Sequence, residues 1–120
     1  MVLSISDRTF TRDVLEAPTP VLVHFWAPWC GLCRMMNPLL TRFQADCGEK
    51  LKIVGINADE SLKLANKYQL VTLPTLLLFN GGEVVYRLDG FQGRDELRKA
   101  LEAIASEYLV ANSKHLAVSK

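Results

Sequence analysis

The 120-residue sequence predicts one α/β domain, with a central mixed β-sheet of about five strands and about four helices on both faces. Short apolar runs alternate with segments of helical periodicity through the first 70 residues, which is typical of strands joined by helices. Two further strand-like segments then flank a glycine-rich turn, which is typical of an antiparallel hairpin. A chain of this length, 49% hydrophobic, fits one core and leaves no room for a second domain.

The first half of the chain contains two predicted strands and two predicted helices. Residues 2–5 predict a short strand, after which Ser6 or Asp7 can cap a helix that continues to about Leu15. The nearly continuous apolar run over 21–27 is typical of a central strand covered on both faces. The second helix is expected from near Cys30 to about Asp46, kinked at its internal proline. Its predicted inward side chains are Met35, Met36, Leu39, Leu40 and Phe43.

The second half predicts another strand, a helix, the hairpin and a last helix. Residues 51–56 predict a strand and residues 59–68 a helix, followed by hairpin strands at 75–79 and 83–88. The amphipathic segment 94–108 predicts the final helix. Its apolar stripe comprises Leu97, Ala100, Leu101, Ile104 and Ala105. We therefore assign one domain to residues 1–110 and a frayed or weakly helical C-terminal tail to residues 111–120.

Composition and charge favour small molecules or proteins as partners, and we expect the protein to be a monomer. The 14 basic and 13 acidic residues are interspersed, so we expect neither nucleic-acid binding nor membrane attachment. The N-terminus lacks a charged region followed by a long apolar core, and three cysteines suit a reducing compartment, so the sequence predicts a cytoplasmic protein. Phosphate-binding glycine motifs are absent, and we expect no cofactor.

The central motif of the sequence is a pair of cysteines, Cys30 and Cys33, between an apolar strand and a predicted helix. At the start of a helix, unpaired N–H groups and the helix dipole favour a thiolate, so Cys30 is the candidate nucleophile. Cys33, one turn further on, is the candidate resolving thiol. Structural zinc would need four ligands, and only Cys47, His24 and His115 remain, so we expect no metal. Two inert core cysteines would not explain the preceding Pro28-Trp29 or the intervening Gly31.

Two segments resemble the active-site regions of the thioredoxin family. Val21-Leu22-Val23-His24-Phe25-Trp26-Ala27-Pro28-Trp29-Cys30-Gly31-Leu32-Cys33 is similar to the family's active-site strand and turn, and Leu73-Pro74-Thr75 begins a segment similar to its cis-proline region. The resemblance covers residues 3 to 108 and implies the thioredoxin fold. It also implies reduction of protein disulfides by dithiol exchange, with disulfide-containing target proteins and a thioredoxin reductase as partners.

The resemblance also implies a groove in which target peptides dock beside the dithiol. We expect Pro74 to be cis and the groove to include Trp29, Gly31, Leu32, Thr72, Leu73, Pro74 and Gly90. Phe91 is either an aromatic rim of this groove or an ordinary partly buried side chain.

Three residues depart from the family's pattern at the active site. Leu32 replaces a usual proline, His24 a usual buried aspartate, and Gly55 a usual lysine near that aspartate. His24 either handles a proton for Cys33 or serves only as a buried packing residue. Burial should lower its pKa below the usual value of about 6.5 and keep it neutral.

Two other functions remain open at this point. A disulfide oxidant or isomerase is conceivable because Leu32 replaces proline, although the N-terminus carries no export signal. A thioredoxin-fold interaction module could use the cysteines only as a redox switch. Cys47 is interpreted as a small apolar residue at a helix end.

Overall fold

The computed structural model describes residues 2–110, and these residues form a five-stranded mixed sheet flanked by helices. In chain order the strands are β1 (Leu3–Ile5), β2 (Val21–Trp26), β3 (Lys52–Asn57), β4 (Thr75–Asn80) and β5 (Glu83–Leu88). Their order across the sheet is β1-β3-β2-β4-β5, with β1, β3 and β2 parallel and β4 and β5 antiparallel to their neighbours. The predicted α/β class and the hairpin are confirmed.

Three α-helices and a π-helical segment cover the sheet. The π-helical segment is Thr11–Leu15, and the α-helices are α1 (Gly31–Cys47), α2 (Leu62–Lys67) and α3 (Arg94–Ile104). A 3₁₀ turn, Gly48–Lys50, follows α1, and α3 continues as a π-helix, Ala105–Val110. Gly48 adopts φ 58° at the end of α1, a left-handed conformation that glycine reaches without steric cost.

The core has two layers, one on each face of β2. One layer packs α1 and α3 against the sheet through residues such as Leu22, Met36 and Leu97. The other packs the π-helical segment and α2 against the opposite face through Phe10 and Leu64. Side chains alternate along β2, so His24 shares the α1 face with Leu22, whereas Val23 and Phe25 face the second layer.

Several local predictions differ from the structure. The first helix begins near Phe10 rather than at Ser6 or Asp7, because residues 7–9 form a turn whose first contact is the Thr9 N–H on the carbonyl of Ser6. The helix predicted at 59–68 is shorter, since residues 58–60 form a turn that returns the chain from the end of β3.

Met35 was expected to face inward and is 53% exposed. The buried stripe of α1 consists of Cys33, Met36 and Leu40, which are three and four residues apart. Met35 lies about 100° around the helix from Met36 and so leaves the core. The helix continues through Pro38, and the kink there stays a prediction.

The hairpin turn is made by two glycines with positive φ, Gly81 and Gly82, between the paired residues Asn80 and Glu83. A two-residue loop of this kind requires positive φ at both positions and matches the twist of the strands. No helix in residues 2–110 is long and apolar enough to cross a membrane. The predicted frayed tail, 111–120, and His115 lie outside the described residues.

Candidate active site

The site lies at one edge of the sheet, where three strand ends meet. The parallel strands β2 and β3 both end here, with Trp26 paired to Asn57, and β4 begins here directly after Pro74. The loop from Ala27 to Cys30 leads from β2 into α1. The cysteines and the turn before them are therefore neighbours of the proline segment, although 40 residues lie between Cys33 and Pro74 in the chain.

Cys30 and Cys33 form a disulfide, with their Cα atoms 5.3 Å apart. Cys30 is the N-cap residue of α1, and its Sγ accepts a hydrogen bond from the backbone N–H of Cys33 at 3.1 Å. Cys30 is 5% exposed and Cys33 is 2% exposed, and both belong to a buried cluster that includes Ala27. A donor from the first helical turn thus points at the Cys30 sulfur, where it can stabilise a thiolate.

Trp29 lies on the turn immediately before the dithiol and is 67% exposed. Its indole Nε1 donates to Oδ2 of Asp59 at 3.0 Å, and the N–H of Asp59 is itself held by Asn57 Oδ1 at 2.9 Å. Asp59 is not among the site residues that the sequence predicts. Its position two residues after a strand parallel to β2 was the available signal, since the carboxyl ends of parallel strands meet at one edge.

The proline segment lies against the dithiol. The Leu73–Pro74 peptide bond is cis, as the family resemblance implied. Leu73 packs against the cluster of Ala27, Cys30 and Cys33, Pro74 is buried, and Thr72 is exposed. The Oγ1 of Thr75 donates to the carbonyl of Thr72 at 2.7 Å and holds the segment from its far end.

The other residues predicted to form the docking groove lie around this edge with different degrees of exposure. Gly31 is exposed at the start of α1, and Leu32 is half-buried between the dithiol cluster and the core. Gly90 is exposed two residues after β5, whose pairing of Leu88 with Leu76 brings it to the same end of the sheet as Pro74. Phe91 is buried in the core, so of its two interpretations the packing one holds.

His24 is buried in β2, 1% exposed, and its Nε2 has no hydrogen-bond partner in the structure. Burial lowers its pKa to about 4, as the sequence analysis expected, so the ring is neutral at pH 7. His24 and Cys33 line the same cavity of about 430 Å³, whose wall also includes Ser4, Asn37 and Thr41.

Gly55 pairs with His24 across β2 and β3, and the indole of Trp26 occupies the space beside it. A Cβ on Gly55 would lie 3.2 Å from Nε1 of Trp26. The absence of a side chain at Gly55 therefore leaves room for the Trp26 ring and for the cavity below Cys33.

Cys47, the third cysteine, is a half-buried free thiol at the end of α1, far along the helix from the dithiol. Burial and the neighbouring Asp46 raise its pKa, which makes this thiol less reactive. Among the described residues, no three His, Cys, Asp or Glu side chains come together as a metal site.

The fold and the site define a class of protein, an α/β thiol–disulfide oxidoreductase with its dithiol at the N-terminus of a helix. The family model described as thioredoxin matches residues 1–103. The chain is 42% identical over 106 residues to thioredoxin M4, chloroplastic, of Arabidopsis thaliana, covering 88% of this chain and 55% of that protein.

Two further relatives agree with this match. Thioredoxin 1 of Nostoc is 40% identical over 98 residues, covering 82% of this chain and 92% of the relative. A bifunctional thioredoxin reductase/thioredoxin of Mycobacterium leprae is 35% identical over 104 residues, which cover 87% of this chain and 23% of that protein. The chain belongs to the thioredoxin family, and it reduces protein disulfides by dithiol–disulfide exchange through Cys30 and Cys33.

Proposed function

We propose that Cys30 is the attacking thiol and Cys33 the resolving thiol of this disulfide reductase. The observation that carries the assignment is the hydrogen bond of 3.1 Å from the Cys33 N–H to the Cys30 sulfur. A thiolate at Cys30 accepts this bond and lies at the positive end of α1, whereas Cys33 lies inside the first turn and is more deeply buried.

The reaction then has two exchange steps. The Cys30 thiolate attacks one sulfur of a target disulfide, the target S–S bond breaks, and the second target sulfur leaves as a thiolate that takes up a proton. Cys33 loses its proton and attacks Sγ of Cys30, which forms the Cys30–Cys33 disulfide and releases the first target sulfur as a thiol. Two electrons pass from the dithiol to the target.

An external reductase must then reduce the Cys30–Cys33 disulfide and restore the dithiol. The M. leprae relative is named as a reductase fused to a thioredoxin, which supports a thioredoxin reductase as the electron donor. We propose that this chain acts as a monomer in the cytoplasm on disulfide-containing target proteins, binding neither nucleic acid nor membranes. Three cysteines, of which one is a free thiol outside the site, support a reducing compartment.

Target peptides are proposed to dock in the groove formed by Trp29, Gly31, Leu32, Thr72, Leu73, Pro74 and Gly90. Exposed Trp29 supplies a large apolar surface before the dithiol, and the backbone of Leu73, which precedes Pro74, offers hydrogen bonds to an extended peptide. The packing of Leu73 against the dithiol cluster keeps that backbone adjacent to the reacting sulfurs.

Cysteine variants test the order of the two thiols. Cys30→Ser should abolish the protein's catalysis of insulin-disulfide reduction with dithiothreitol as electron donor. Cys33→Ser should attack insulin once and remain attached as a mixed disulfide. Non-reducing gels and mass spectrometry measure the adduct, with Cys47→Ser as the matched control that should retain full activity. Equal trapping by the Cys30 and Cys33 variants would refute the assignment.

We further propose that His24 accepts the proton of Cys33 during the resolving step. The shared cavity is large enough for several water molecules at about 30 Å³ each, so a proton can pass between them. Neutral His24 offers an unpartnered Nε2, and the Cys33 thiolate stabilises the imidazolium that forms. Apart from His24, the ionisable side chains among the described residues that line the cavity are Cys33 and Arg34, both on α1. The other lining residues carry no acidic or basic group.

The test of His24 is the pH dependence of the resolving step. His24→Asn should slow resolution by about tenfold at pH 6, where general-base assistance matters, and by much less above about pH 9, where the thiol ionises unaided. Stopped-flow kinetics would follow attack and resolution separately, with His115→Asn as the control. A slowing that is the same at every pH, or no slowing, would make His24 a packing residue.

A further inference from the structure

Arg87, in the last strand, donates hydrogen bonds to two separate segments of the chain. Its Nη1 lies 2.6 Å from the carbonyl oxygen of Tyr68, and its Nη2 lies 2.9 Å from that of Gln69. Its Nε lies 3.0 Å from Oδ2 of Asp89. The guanidinium is about one-third exposed and uses a different nitrogen for each acceptor.

The first of these segments is the turn that ends α2. The N–H of Leu70 bonds to the carbonyl of Ala65 and that of Gln69 to the carbonyl of Asn66, so the turn is a Schellman motif. Its left-handed position is usually glycine, but here Gln69 adopts it with φ 53°, at a steric cost. The carbonyl of the C-cap residue Tyr68 has no partner within the helix, and Arg87 satisfies it together with the carbonyl of the strained Gln69 itself.

This turn determines where the proposed docking segment begins. Leu70 and Leu73 pack against the second core layer, which leaves Val71 and Thr72 exposed between them. Thr75 holds the far end of the segment through the carbonyl of Thr72. Arg87 therefore fixes the near end of a short backbone stretch whose far end is already fixed.

The second segment is the turn after β5. Asp89 directly precedes Gly90, and the pairing of Leu88 with Leu76 brings this turn to the end of the sheet where Pro74 lies. Through Asp89 and the two carbonyls, one guanidinium thus links the two chain segments that flank Pro74.

We propose that Arg87 is a positioning residue for target docking, holding residues 70–73 and residues 89–90 at the separation that an extended target peptide requires. This inference rests on the docking groove proposed above. A lysine could not replace it, because an ammonium is a point charge and cannot reach three acceptors lying in different directions. Arg87 touches neither sulfur, so it should affect docking and not the exchange chemistry itself.

The experiment compares a large and a small disulfide in the full chain. Arg87→Lys and Arg87→Gln should raise the KM for insulin by about threefold to tenfold, because the lost hydrogen bonds position the groove and do not contact the target, so only part of their free energy affects docking. The rate constant with 2-hydroxyethyl disulfide, which is too small to need the groove, should stay within about twofold of wild type. Arg98→Gln is the matched control, since it removes a guanidinium from the exposed pair with Asp95 and should change neither value.

Amide hydrogen exchange gives a second measurement that needs no substrate. In Arg87→Gln, exchange should accelerate at residues 69–73 and remain unchanged in α1. Asp89→Asn, which keeps Arg87 but weakens one of its contacts, should show a smaller rise in KM.

The outcomes separate this proposal from the proposed function. An unchanged insulin KM, equal slowing with both disulfides, or unchanged exchange at residues 69–73 would overturn the role of Arg87. Failure of the wild-type protein to reduce insulin, or failure of Cys33→Ser to trap it, would instead contradict the thiol assignment and leave the exchange result to decide on Arg87.

Discussion

The indole of Trp29 and the carboxylate of Asp59 are joined by a hydrogen bond of 3.0 Å, which connects the turn before α1 to the segment after β3. The bond holds an otherwise exposed ring in one orientation beside the dithiol. If Trp29 contacts a target as proposed above, it does so as an ordered surface, and we predict that Asp59 supports docking through this bond.

Removing the acceptor should weaken docking. Asp59→Ala should raise the KM for insulin by about twofold to fivefold and lower the unfolding free energy by less than about 1 kcal/mol, because the bond is exposed. Trp29→Phe removes the donor and should itself raise the KM. Asp59→Ala added to Trp29→Phe should then cause no further increase; a full additional increase would show that the hydrogen bond is not the cause.

Leu32 should raise the reduction potential relative to a proline at the same position. Without the rigid proline ring the turn between the cysteines is less constrained, so we expect the wild-type potential to exceed that of Leu32→Pro by some tens of millivolts. About 30 mV corresponds to about 1.4 kcal/mol for this two-electron couple. Equilibration of both proteins with glutathione measures the difference, and equal potentials or the reverse order would contradict the expectation.

Burial of His24 should make the disulfide form less stable in acid. Its folded pKa of about 4 lies below the unfolded value of about 6.5, so between these pH values the unfolded chain binds the proton and the folded protein does not. The stability that neutral His24 contributes to the unfolding free energy is fully present above pH 6.5. It is lost as pH decreases towards 4, by up to about 3 kcal/mol.

Urea unfolding of the wild type and of His24→Asn at pH 4.5, 5.5 and 7.5 measures this loss. The variant has no titrating group at this position, so its unfolding free energy should decrease less than that of the wild type. Parallel pH dependences of the wild type and His24→Asn would show that His24 is not the group responsible.

Gln44 should stabilise the end of α1 through three backbone contacts. Its Nε2 donates to the carbonyls of Leu51 at 2.7 Å and Gly48 at 3.3 Å, and its Oε1 accepts from the N–H of Ile53 at 2.6 Å. Gln44→Leu should lower the unfolding free energy by about 2–3 kcal/mol, because it leaves partly buried backbone groups without partners.

The matched control for Gln44 is Gln92→Leu. Gln92 is exposed, and the described hydrogen bonds include no comparable set for its side chain. Chemical denaturation compares the two variants, and the rate with 2-hydroxyethyl disulfide checks that the dithiol is intact. Equal stability of the two variants would show that the Gln44 contacts contribute little.

Most elements of the fold and the dithiol chemistry could be predicted from the sequence, because both depend on local patterns. The apolar run at 21–27 predicted a central strand, the glycines after Asn80 predicted a hairpin, and the spacing of Cys30 and Cys33 predicted a dithiol at a helix start. Periodicity, turn residues and helix capping act over a few residues, so a linear reading can detect them.

Contacts between groups far apart in the chain could not be predicted from local patterns and are seen in the folded structure. Asp59 reaches Trp29 across 30 positions, and Arg87 reaches Tyr68 across 19. The sequence predicts both Met35 and Met36 as inward side chains, yet the rotation of α1 against the sheet buries Met36 and leaves Met35 exposed. Such contacts depend on strand register, helix rotation and the room that a residue such as Gly55 leaves for the Trp26 ring, and these are properties of the packed molecule that no single segment of the chain encodes.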